Sequence, residues 1–291
     1  MTATFSFQLR RCAPPVVMAI GLALLSTTSG VAGVVHRTAN FEILASTADI
    51  AEAVGSQAEQ SRTAIAKIWQ DADLKPWGRP CTIDVRTGQG RPAGATTIRY
   101  LPQSASALRI EVSGPLDEVI ESVLPHEVTH AVLASIFGRP LPRWIDEGLA
   151  ILSEGQNAQQ RQRLLLRDML KRKPPRLRTL IASAEYPESP DHSRALYLVG
   201  FSLTEFLIGQ HGRASVVKCL SSAVAADEEG WETAVRNHFK YDSLETLEQA
   251  WKVWLDETAP AVTWTRPLEK NSSQMATLSI ASDNTARRNR A

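Results

Sequence analysis

Charge of one sign is what this sequence most plainly lacks. Lysine and arginine number 32 against 31 aspartate and glutamate, a formal net charge of +1, and no long run of either sign occurs. An extended nucleic-acid footprint needs clustered basic residues, so this balance argues against nucleic acid as a partner. Cysteine is scarce, with 3 residues. Cys12 belongs to an N-terminal segment treated below, which leaves Cys81 and Cys219 either to pair in an oxidising compartment or, as the simpler expectation, to remain two buried thiols. No internal repeat is visible. The 291 residues suffice for one large domain or two small ones with a substantial core.

Long apolar runs are also wanting, except at the N-terminus. Arg10 and Arg11 precede an uncharged stretch from Ala13 to Val35, whose apolar centre is Val16 to Leu25. Ser26-Thr27-Thr28-Ser29-Gly30, then Ala32 and Gly33, complete the charged, apolar and small-residue layout of a cleavable signal peptide over residues 1–33. The rival reading is an N-terminal membrane anchor, since the stretch is just long enough to span a bilayer at ~1.5 Å per residue. Its serines and threonines dilute the second half and favour cleavage. The expected location is therefore outside the cytoplasm (secreted, periplasmic or in the cell envelope), with no stable membrane insertion once the segment is removed.

Along the mature chain, the apolar periodicity predicts sheet first and helix afterwards. Asn40–Ala45 alternates as a strand, and Ala48–Trp69 carries Ile50, Val54, Ala58, Ile65 and Ile68 at helical spacing. Cys81–Arg86, Thr96–Leu101 and Leu108–Val112 read as further strands around a glycine-rich loop at Gly88–Gly94. From Gly114-Pro115 the period changes, and a helix runs on to Gly138-Arg139-Pro140, with a kink or fresh start expected at Pro125 because proline lacks an N–H. Several helices follow, separated by Pro174-Pro175, Pro187, Pro190, Gly212 and Gly230. The fold class expected is α+β: a mixed-sheet lobe followed by a mainly helical one. Residues 266–291 are polar without an apolar period and are expected to be disordered.

The chemistry is concentrated in His126-Glu127-Val128-Thr129-His130. On an α-helix, positions four apart lie only ~40° apart around the axis, so both imidazoles project from one face and can share a metal. Glu127 beside them has the carboxylate a general base needs, taking a proton from attacking water and handing it to a leaving amine. A third ligand is at hand in Pro142-Arg143-Trp144-Ile145-Asp146-Glu147-Gly148-Leu149-Ala150, where a helix running back against the first would carry Glu147 to the two histidines. Three protein ligands leave a coordination position for water, whereas structural zinc normally takes four.

Taken together, Leu124-Pro125-His126-Glu127-Val128-Thr129-His130-Ala131-Val132 and Leu141 to Ala150 resemble the gluzincin-type zinc peptidases of the MA clan, in particular secreted "peptidase MA-like" domains with His-Glu-x-x-His and a downstream Trp-x-x-Glu-Gly-x-Ala glutamate. Tyr197 to Leu207 with Gly212, and Trp231 to Trp251, are similar in a looser way to the helices that follow in these domains. The resemblance implies a zincin-like domain over residues 34–265, split into a sheet lobe with the active-site helix (34–137) and a helical lobe (138–265). It implies Zn2+ held by His126, His130 and Glu147, catalysis by Glu127, and an edge strand above the active helix, for which Leu108–Val112 is the candidate. Thermolysin-like relatives place an aspartate four residues after the glutamate ligand as an outer partner for a histidine. This chain has Ile151 there, with Asp146 or Glu154 as substitutes. Oxyanion stabilisation in relatives commonly comes from a tyrosine or histidine of the second lobe, a position Tyr197 fits; an ordinary packed helix tyrosine is the equal alternative. His192 and His211 read as surface or capping residues, and Trp144, Trp231, Trp251 and Trp254 as core.

The function expected is that of an exported zinc-dependent peptidase, an endopeptidase, acting on peptide or protein substrates. Against it stands a catalytically inactive, peptidase-like binding or scaffold protein whose zinc only braces two helices. Aminopeptidase activity would require an acidic anchor for the substrate amine, and no recognisable anchoring motif is present.

Overall fold

The computed structural model describes residues 2–8, 33–70, 74–101, 104–171, 176–181, 189–222 and 228–258. The apolar centre of the N-terminal segment and the polar tail at 266–291 lie outside them, and of the expected cleavage region near Ala32 or Gly33 only Gly33 is described. The chain divides into two units, Met1–Trp251 and Lys252–Ala291, and the architecture that follows is that of the first. It is α+β, with a mixed sheet in the N-terminal half and helices in the C-terminal half.

Strand alternation builds the sheet. In β3 (Phe41–Ala45), Phe41, Ile43 and Ala45 point into the core, and in β4 (Cys81–Thr87) Cys81, Ile83 and Val85 do the same. With β1 (Thr2–Gln8), β2 (Val34–Arg37), β5 (Ala93–Leu101) and β6 (Ser104–Gly114), the order across the sheet is β1-β5-β6-β4-β3-β2. Helix α1 (Ala48–Gln70) closes one face, burying Ala51, Val54, Ala58, Ile65 and Trp69. The connection from β3 through α1 to β4 is the crossover that makes β3 and β4 parallel. β4 and β6 are also parallel, and the remaining pairs are antiparallel.

Leu108–Val112 is not an edge. It lies within β6, flanked by β5 and β4. Only two residues separate β5 from β6, so β5 folds back as a hairpin along the side of β6 away from β4, and the motif helix packs against both strands. Beyond β5 the backbone of Thr2–Gln8 is paired antiparallel, from Thr2 opposite Arg99 to Gln8 opposite Ala93.

Pro125 produces the fresh start its chemistry demands. After α2 (Leu116–Glu118) the backbone widens into a π-helical turn at Val119–Val123, closed by the Leu124 N–H on the Val119 carbonyl, and α3 (Leu124–Phe137) begins with Pro125 in its first turn. Proline has no N–H for the carbonyl of Glu121, four residues earlier. That carbonyl instead accepts the N–H of Gly155 at 2.8 Å, tying the start of α3 to the loop after α4 (Arg143–Leu152). At its other end α3 stops on Gly138, whose φ of 66° lies in the left-handed region, with its N–H on the Ala134 carbonyl.

The helical half continues through α5 (Gln156–Leu170), α6 (Leu177–Ile181), α7 (Pro190–Ser221), α8 (Glu228–Ala234) and α9 (Leu244–Thr258). α4 and α7 meet without side chains between them at one point. A Cβ on Gly148 would collide with Thr204 Oγ1 and the Gly200 carbonyl, and a Cβ on Gly200 with the Trp144 carbonyl. Trp144 and Trp231 are buried, their rings edge to face at 5.0 Å, and Trp251 donates from Nε1 to Ser202 Oγ, so these tryptophans are core residues. Cys81 on β4 and Cys219 on α7 are both free and buried, which rules out a bond between them here. Burial pushes each thiol up to about 12, Arg139 opposing it slightly at Cys219. Among the described residues no helix is long and apolar enough to cross a membrane.

Candidate metal centre

The two motif histidines occupy successive turns of α3, buried between the sheet and the helical half at 1% and 2% exposure. Glu147 reaches them from α4, whose next residue, Gly148, lies directly against α7. Glu147 Oε2 lies 3.3 Å from His126 Nε2 and 3.8 Å from His130 Nε2. One ligand atom from each of the three residues falls within 4.8 Å of the others, so the group can hold a metal ion.

The far nitrogens of both rings have carboxylates of their own. His126 Nδ1 is 2.8 Å from Glu154 Oε1, and Glu154 Oε2 accepts from Ser122 Oγ at 3.0 Å. His130 Nδ1 lies 3.2 Å from Asp146 Oδ2. A carboxylate on Nδ1 fixes the tautomer in which Nε2 carries a lone pair, which is what a metal requires of an imidazole. Both of the substitutes considered for the missing aspartate are therefore in use, one per histidine, and Ile151 is simply buried core. Glu154 depends on Pro125: the carbonyl that proline cannot bond holds Gly155, the residue next to Glu154.

Burial and carboxylates pull the imidazoles in opposite directions. Desolvation lowers the pKa of His126, but Glu147 and Glu154 outweigh it and hold the ring well above the usual histidine range. At His130 burial again lowers, and Asp146 and Glu147 win. A divalent cation placed among these groups would supply the positive charge that the protons supply otherwise. Glu127 is raised, chiefly by burial, against the opposing pull of His126, His130 and Thr96.

Glu127 projects to the strand side of α3 rather than towards α4. Thr96 Oγ1 on β5 lies 2.6 Å from its Oε2, and the backbone of Gly94 passes so near that a Cβ there would stand 2.5 Å from its Oε1. Neither Thr96 nor Gly94 belongs to a recognisable motif in the sequence. The available signal was a polar residue at an inward position of a strand otherwise reading Gly94, Ile98 on that face.

Tyr197 is half-buried on α7, three residues before the point where Gly200 meets α4. His211 is engaged elsewhere, with Nε2 3.3 Å from Tyr241 Oη and its ring against Phe239, and His192 is exposed at the start of α7. No protein-family model matches the chain, no curated protein matches it, and no solved structure matches it.

Proposed function

We propose that this protein is an exported zinc-dependent peptidase of gluzincin type, with Glu127 as general base. The observation that carries the reading is the arrangement of two imidazole Nε2 atoms and one carboxylate around a common point, each imidazole steered by a separate carboxylate, with a fourth carboxylate buried alongside. Two nitrogens and one oxygen suit zinc and are one protein ligand short of a structural site. When bound, zinc would lower the pKa of water and polarise the carbonyl under attack.

The residues of the chain divide the remaining work. His126, His130 and Glu147 hold the cation, while Glu154 and Asp146 orient the rings. Glu127 takes a proton from the attacking water and delivers it to the leaving amine; its pKa, raised by burial, suits a group that must both accept and return a proton. The resemblance offers Tyr197 as hydrogen-bond donor to the developing oxyanion, with an ordinary packed helix tyrosine as the equal alternative. A peptide as substrate is supported by β5, the strand against Glu127, whose outer backbone already pairs antiparallel with an extended segment, Thr2–Gln8. Export rests on the layout of residues 1–33.

Metal analysis of the purified protein should find about one zinc per chain. Glu127→Gln should keep the zinc and lose ~10²–10⁴-fold in turnover of a peptide library, the range expected for a general base. Undiminished turnover in that variant would remove the base from the mechanism. The alternative, a metal-braced binding protein, is favoured by the 1–2% exposure of the metal-holding side chains. Under that reading no peptide is cleaved with or without chelator, and zinc removal lowers only the melting temperature.

A further inference from the structure

The carboxylate of Glu127 is held by the sheet and not by its own helix. We infer that Thr96 and Gly94 of β5 are positioning residues for the base, together dictating which of its oxygens faces the reacting atoms. The inference rests on the peptidase reading for its consequence in turnover, but its structural half stands independently.

Thr96 is fully buried, and its single hydroxyl proton has two acceptors within reach, the Glu127 backbone carbonyl at 3.0 Å and the side-chain Oε2 at 2.6 Å. The shorter contact is to the charged group, where a hydrogen bond is stronger. Branching at Cβ limits the threonine to few rotamers, so the hydroxyl is aimed by the strand itself. Oε2 is thereby engaged, while Oε1, also buried, has no hydrogen-bond partner among the described residues. Oε1 is the oxygen left available to accept a proton.

Gly94 bounds the carboxylate from the same strand. A methyl group there would sit 2.5 Å from Oε1, 2.6 Å from Cγ and 2.8 Å from Cδ of Glu127. Every other side chain is therefore excluded unless the glutamate swings away. Two residues on one face of one strand thus act on opposite oxygens, one by attraction and the other by leaving room. The contacts of Thr96 and Gly94 with Glu127 are distinct from those that bring His126, His130 and Glu147 together, so the placement of the base can be tested separately from the holding of the metal.

Thr96→Val keeps the shape and removes the donor, Thr96→Ser keeps the donor and removes a methyl, and Gly94→Ala adds the obstructing carbon. Zinc-loaded crystal structures and steady-state kinetics on a peptide library test all three. We expect Thr96→Val and Gly94→Ala to retain full zinc and near-unchanged KM, with kcat lowered by ~10²-fold, as misplacing a reacting group by about 1 Å does. Thr96→Ser should recover kcat to within about threefold. In the crystal structures the Glu127 carboxylate should leave its observed position in the first two variants and keep it in the third. If it stays in place in Thr96→Val and Gly94→Ala, the inference is overturned whatever the kinetics. If it moves and the wild-type protein cleaves nothing, the positioning stands and the peptidase reading falls. A loss of kcat in Thr96→Val that Thr96→Ser does not recover also overturns the role of the hydroxyl.

Discussion

The two faces of α3 meet different surroundings. Towards α4, His126 and His130 see three carboxylates of the helical half, Glu147, Asp146 and Glu154. Towards the sheet, Glu127 sees one hydroxyl and one glycine of β5. The helical face is rich in negative charge and suited to a cation, whereas the sheet face has little charge and constrains geometry. On the proposed function, cation binding and base placement fall to different halves of the fold, and mutations should be able to damage one while sparing the other.

The largest effect should come from Glu147→Ala. Removing a ligand from a three-residue set should abolish stoichiometric zinc and, with it, turnover. Metal analysis after dialysis checks it, and a variant that still holds one zinc per chain would break the division between the two faces.

Smaller effects are expected one layer out. Glu154→Gln and Asp146→Asn keep volume and remove the charge that orients each ring, and loss of such partners typically costs 10–100-fold in metal affinity. Glu154, at 2.8 Å from its ring nitrogen, should matter more than Asp146 at 3.2 Å. Competition with a chromophoric chelator measures both. Unlike Thr96→Val, these variants should recover most of their turnover when zinc is supplied in excess, which sharpens the contrast between the faces.

The smallest effect is on stability against pH, and its sign depends on the metal. Without metal, His126 and His130 have folded-state pKa values above that of the unfolded chain, about 6.5. A raised pKa contributes stability that is complete below the unfolded value and is lost as pH climbs through the folded one. Glu127 acts in the same direction from a lower starting pH. Chelated protein should thus melt at a lower temperature at pH 8 than at pH 6. Zinc binds only the deprotonated imidazoles, so the zinc-dependent gain in melting temperature should grow over the same interval. A gain that shrinks from pH 6 to 8 would contradict the assignment of the ligands.

Much of this was legible before any coordinates. The spacing of His126 and His130 on an apolar helical pattern already placed them on one face, and Glu147 followed from a helix starting at Pro142. The interior alternation of Phe41, Ile43, Cys81 and Ile83 located β3 and β4. Short-range periodicity locates strands but not the order in which they pair, so it cannot show that Leu108–Val112, the candidate edge, lies between β5 and β4. Val34–Arg37 escaped notice because four residues are too few for a period and His36 and Arg37 break the apolar pattern. Thr96 escaped because a threonine in a strand has an adequate local explanation in its β-branched shape.

The sequence by itself determined which groups could bind a cation and which carboxylate stood beside them, since helical geometry converts a spacing of four directly into proximity. Only the tertiary structure decided that Glu154 and Asp146 divide the histidines between them, that Pro125 frees the carbonyl which anchors Gly155, and that Gly94 and Thr96 bound the Glu127 carboxylate. Those contacts join residues 16 to 34 positions apart. No periodicity of 2 or 3.6 residues reaches that far; burial and chain packing set the distances.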